Sequence, residues 1–134
     1  MTPEQITIVR STIERAHADL PALVADFYTG LFAAAPHLRE LFSADVADQR
    51  SKFAEQLEAI GASLDDFDAF VADVVELGHR HRSYGVRPDH YALAGPPLLA
   101  TLAAALGDDW TAEVEQAWRC AYNLIAETMM ASVV

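Results

Sequence analysis

Between Phe67 and Tyr91 the apolar residues fall at alternating spacings of three and four: Phe67, Phe70, Val74 and Leu77, with His81 next in the series. On an α-helix such spacing lines up a single buried stripe. It predicts a helix from the acidic break at Leu64-Asp65-Asp66 to a stop at Tyr84-Gly85, with His81 aimed into the core and His79 aimed elsewhere. A histidine that continues an apolar stripe has two readings. Either its nitrogens find hydrogen-bond partners within the protein, or it is a ligand to something bound in the core.

Helical punctuation recurs along the chain. Thr2-Pro3-Glu4-Gln5 has a capping-box pattern, so a first helix should run from there to about His17, with Ile6, Val9, Ile13 and Ala16 on one face and His17 as an ordinary helix-end histidine. A second helix should start at Asp19 or Leu20, with Pro21 in its first turn. Leu20, Leu23, Val24, Phe27, Tyr28, Leu31 and Phe32 share its broad apolar face. Tyr28 therefore lies on the core side, and its hydroxyl needs a partner. Pro36 opens a short helical turn, PHLREL, that leads to Phe42 and a loop at Ser43-Ala44-Asp45.

A third helix should start at Asp45 or Asp48 with a face of Phe53, Leu57, Ile60 and Leu64. Gln49, four residues before Phe53, belongs to that face. Pro88 restarts the chain after the histidine helix, but Gly95-Pro96-Pro97 predicts a kink or a division into two shorter helices before Leu106. After Gly107-Asp108-Asp109, Thr111 or Asp109 should cap a last helix that buries Val114, Ala117, Trp118, Ala121, Leu124, Ile125 and Met129. Neither a period-two run of useful length nor an Asn-Gly hairpin turn occurs. The expected fold is all-α, with six to seven helices in one domain over residues 1–134.

Composition narrows the function classes. With 9 basic against 20 acidic residues the net charge is −11, which repels phosphate backbones and anionic lipid. Nucleic acid is not an expected partner. No run of about 18 apolar residues and no signal-peptide pattern appear, so a soluble cytoplasmic protein without membrane insertion is expected. Cys120 is the only cysteine, which excludes an internal disulfide and a multi-cysteine metal cage. It reads as a packed thiol, and Met129 and Met130 as core side chains.

The chemistry rests on the inward polar groups Tyr28, Gln49 and His81, accompanied by Phe42 and Tyr91. No nucleophile with a base, phosphate-binding glycine loop or HExxH motif is present. One histidine can still hold a metal when a prosthetic group supplies most of the coordination, and haem is the usual case.

The stretches DFYTGLF with Tyr28, APHLRELF ending at Phe42, DQRSKF with Gln49, and RHRSYGVRPDHY with His81 and Tyr91, followed by LLATL and AWRCAY, resemble a known family. The chain resembles a globin of the bacterial flavohaemoglobin type, including its single-domain haemoglobin relatives, over nearly its whole length. The resemblance implies a globin fold around haem b. His81 would be the proximal iron ligand, Phe42 the ring packed on the haem face, Tyr28 and Gln49 the distal hydrogen-bonding pair and Phe53 the apolar distal wall. Tyr91 would stand near the proximal imidazole, and Arg80 or Lys52 could meet the haem propionates. Dioxygen, nitric oxide and carbon monoxide are the implied ligands, and conversion of nitric oxide to nitrate would need an external reductase.

One departure is visible. The late-helix glutamate that supports the tyrosine in many members would fall at or beside Val133, and Glu127 lies six residues, about 9 Å, away along a helix. Two other classes of function fit the same residues: a haem-based gas sensor acting through a protein partner, and a helical interaction module in which His81 and Gln49 are satisfied core polar groups.

Overall fold

A computed structural model describes residues 1–42 and 46–131; the Ser43-Ala44-Asp45 loop, the Asp45 cap and Val133 lie outside the described residues. Six α-helices run in order: α1 Pro3–Ala16, α2 Leu20–Ala34, α3 Val46–Ser63, α4 Phe67–Ser83, α5 Pro88–Leu106 and α6 Ala112–Ala131. Short 3-10 turns at His17–Asp19, Pro36–Leu41 and Gly107–Asp109 join some of them, and no strand occurs among the described residues.

The local causes follow the sequence closely. Thr2 and Gln5 close the capping box of α1, with Thr2 Oγ1 accepting from the Gln5 N–H at 3.1 Å and Gln5 Oε1 accepting from the Thr2 N–H at 2.9 Å. Asp66 caps α4 by accepting from the Ala69 N–H at 3.2 Å. Thr111 caps α6 by accepting from the Val114 N–H at 3.3 Å. Gly85, in the left-handed region at φ 92°, carries the chain out of α4.

α2 buries Leu20, Leu23, Val24, Phe27, Tyr28 and Leu31 and packs against α3 and α5. α6 lies against α1, α4 and α5, burying Ala117, Trp118, Ala121, Ala126 and Met129. α1 and α3 approach closely at Gly61, where a Cβ would stand 2.6 Å from Ile13 Cδ1. No helix among the described residues is long and apolar enough to cross a membrane.

Two expectations need correction. Phe67 is not part of the buried stripe: it is 71% exposed at the first position of α4, whereas Phe70, Val74 and Gly78 are buried. Periodicity fixes a residue's angle about the axis, but it does not supply a neighbour at the end of the helix. The second concerns α5: of the two alternatives, a kink or a division at Gly95-Pro96-Pro97, the division does not occur, and one helix runs from Pro88 to Leu106. A proline inside a helix costs about 3 kcal/mol when nothing compensates. Here Pro97 Cβ lies 3.7 Å from where a Cβ would stand on Gly30 of α2, and a Cβ on Gly95 would come within 3.1 Å of the Tyr122 ring of α6. Packing from both sides holds the helix together through the two missing donors.

Candidate functional site

Tyr28 sits near the middle of α2 with an aromatic ring on nearly every side. Its ring centroid is 5.2 Å from Phe27, 5.8 Å from Phe32, 5.4 Å from Phe42 and 5.8 Å from Phe53. The contacts to Phe42 and Phe53 are edge to face, the arrangement that aromatic quadrupoles favour. Phe32 and Phe42 meet in the same way at 5.4 Å, and Phe27 and Phe53 stack at 5.1 Å. Chain order explains the assembly. Phe32 lies one turn after Tyr28 on α2, the Pro36–Leu41 turn delivers Phe42, and Phe53 lies one turn after Gln49 on α3.

Burial pushes the Tyr28 phenol up to about 12, with a side-chain hydrogen bond from Gln49 and the charge of Arg50 opposing it. Gln49 is thus the side chain that bonds the Tyr28 phenol.

His81 belongs to the last turn of α4 and is partly buried. Its Nδ1 lies 2.9 Å from the Leu77 carbonyl. A carbonyl only accepts, so Nδ1 carries the hydrogen and Nε2 keeps its lone pair. Burial holds the imidazole below its ordinary range; the Leu77 bond opposes that shift and the Arg80 charge adds to it. A neutral ring with Nε2 unprotonated is the form that ligates iron, so this donor set fits a haem.

The Tyr91 ring lies near-parallel to His81 at 6.4 Å, from the first turn of α5. Burial raises the Tyr91 phenol, with Arg82 opposing. Behind it, Tyr122 of α6 donates its hydroxyl to the Tyr91 carbonyl at 2.6 Å. The Tyr122 phenol is itself raised by burial and by Tyr91.

The predicted residues thus gather into two groups: Tyr28, Phe42, Gln49 and Phe53 around α2 and α3, and His81 with Tyr91 where α4 meets α5. Arg80 touches the second group only through its charge on His81. It is exposed, and its guanidinium donates to Gln56 Oε1 at 3.3 Å. Lys52 pairs with Asp48 at 3.1 Å. Cys120 is partly buried and accepts from the Gln5 and Gln116 amides, both at 3.6 Å.

The globin family profile matches residues 25–129. The chain is a globin. It is 32% identical over 133 residues to a flavohemoprotein of Vibrio cholerae, covering 97% of this chain and 34% of that protein. With a flavohemoprotein of Deinococcus radiodurans the identity is 33%, covering 97% of this chain and 33% of that one. This globin therefore spans about a third of the length of the flavohemoproteins it matches. A bacterial globin from Campylobacter jejuni has the same fold, with a TM-score of 0.86 at 22% identity, over 98% of this chain and 95% of that one. Family membership makes this globin a haem-binding protein.

Sequence reasoning missed two supports of the site. Arg50, next to Gln49 in the sequence, acts on the Tyr28 phenol through its charge. Tyr122 was passed over inside AWRCAY, where its spacing of four from Trp118 was the available signal.

Proposed function

We propose that this globin, acting as one domain over residues 1–134, holds haem b through His81 and binds dioxygen, nitric oxide and carbon monoxide. The observation that carries the reading is His81 itself: a partly buried imidazole, kept neutral, with Nδ1 committed to the Leu77 carbonyl and Nε2 left for a metal. The haem supplies an iron that takes a diatomic ligand and tolerates one-electron oxidation and reduction.

The chain's own residues do the rest. Phe42 and Phe53 offer apolar walls that exclude water. Tyr28 donates its O–H to a ligand that has gained negative charge, and Gln49 fixes the phenol by bonding its oxygen. Because burial raises the Tyr28 phenol, it keeps that proton throughout the neutral range. Tyr91 sets one side of His81, and Tyr122 holds the backbone that carries Tyr91.

The same distal pair suits conversion of nitric oxide and dioxygen to nitrate; a haem held by His81 would supply the one electron this needs, and an external reductase would have to restore it. Stopped-flow mixing of the dioxygen-loaded protein with nitric oxide should give nitrate at stoichiometric yield, and slow oxidation without nitrate would remove that activity.

The haem reading is tested by visible absorption of ferric, dithionite-reduced and carbon monoxide-treated protein beside His81→Ala. A Soret band that shifts with each treatment and weakens in the variant is expected. Absence of a Soret band after hemin addition would overturn it.

A further inference from the structure

α4 carries a second stripe besides the one that leads to His81. Asp68, Val75 and Arg82 are spaced seven residues apart, so they follow one line along the helix, with Val71 and His79 one turn to either side of Val75. Val71 and Val75 are only partly buried. With Leu124, Thr128 and Ala131 of α6 they wall a groove of about 390 Å³ whose one charged lining residue is Glu127. Among the described residues three large apolar side chains are exposed, and two of them, Phe67 and Tyr84, stand at the two ends of this same helix. An apolar face that runs the length of a helix marks a contact surface.

The stripe is complementary to itself when reversed. An acid precedes Val75 and a base follows it, each two turns or about 10.5 Å away along the axis. A two-fold axis through Val75 therefore lays α4 antiparallel to its copy and sets Asp68 of each chain opposite Arg82 of the other. The wider charge pattern agrees. Asp65, Asp66 and Asp68 stand at the start of α4, and His79, Arg80 and Arg82 stand in its last turns, all of them exposed. A parallel pairing would set like charge against like, whereas the antiparallel one also opposes the two helix dipoles. The net charge of −11 on each chain repels at long range. Salt screens that repulsion beyond about 8 Å at physiological ionic strength, while the paired ends of α4 meet within that distance.

We infer that the occupant of this face is a second copy of the chain, docked α4 against α4 in antiparallel fashion about a two-fold axis at Val75. Val71 and Val75 lie at the centre and carry the affinity, while Phe67 and Tyr84 lie at the rim, where truncation changes little. Arg82, whose charge also acts on Tyr91, links this face to the His81 group.

Sedimentation velocity of the full chain at micromolar concentrations, which needs no haem signal, should show a reversible dimer. Val75 meets its own copy on the axis, so Val75→Asp sets two carboxylates face to face and should leave only monomer. Asp68→Arg and Arg82→Asp should each weaken the dimer at least about ten-fold, because each creates two like-charge contacts, and the double reversal should recover most of the wild-type affinity. This cycle stands even if Val75→Asp fails to fold, since both of its positions are exposed. Monomer at every concentration, a dimer indifferent to Val75→Asp, or a double reversal no tighter than either single variant would overturn the assignment.

Discussion

The two groups of site residues are built on different principles. Around Tyr28, one phenol is enclosed by four aromatic rings and a glutamine, all from α2, α3 and the turn between them. Around His81, one imidazole is held by a backbone carbonyl of its own helix and by a single ring from the next. The first arrangement fixes a polar atom by enclosing it. The second fixes a tautomer with one directional bond and leaves the other nitrogen open. An enclosed donor and an open ligand atom are what a site needs if one group is to tune and the other to bind.

The largest expected effect falls on the enclosed side. Tyr28→Phe removes a donor to a charged acceptor, worth about 1.5 to 3 kcal/mol, so the dioxygen dissociation rate should rise roughly ten- to hundred-fold in stopped-flow measurements. An unchanged rate would mean that the enclosed phenol is only structural.

The next effect is on stability. Tyr28 is pushed from an ordinary 10 up to about 12, so the folded state holds that proton more tightly than the unfolded state does. Its contribution is fully present below pH 10 and is lost as pH rises from about 10 through about 12, by roughly 2 to 3 kcal/mol. Chemical denaturation of wild type and Tyr28→Phe across that window should show a smaller alkaline loss in the variant.

On the open side the expected effects are smaller. Tyr122→Phe deletes one hydrogen bond to the Tyr91 carbonyl and should cost about 0.5 to 1.5 kcal/mol in urea unfolding. It should leave the dioxygen dissociation rate within about two-fold of wild type; a change as large as that of Tyr28→Phe would erase the contrast between the two sides. The smallest effect is expected at Phe67, on the same nominal stripe as His81 but 71% exposed, where Phe67→Ser should stay within about 0.5 kcal/mol of wild type.

Phe67 also marks the limit of what spacing can tell. The helices, the caps at Thr2 and Thr111, the acidic start of α4 and the inward setting of Tyr28 and His81 were legible because helix periodicity and capping are local. The continuity of α5 was not legible, because Gly30 and Tyr122, which flank its prolines, come from helices far away in sequence. Arg50 and Tyr122 escaped for the same reason: their roles depend on which helix lies opposite. Arg80 too has a partner that sequence alone could not supply, since its guanidinium reaches Gln56 of α3.

The position of Gln49 has a further consequence. It stands in the first turn of α3, whereas Tyr28 sits in the middle of α2. A helix's first turn lacks part of its backbone bonding and opens at far less cost than its centre. Gln49 can therefore withdraw by local fraying while the cage around Tyr28 stays closed. Amide exchange at residues 47–50 should accordingly be much faster than at residues 26–30.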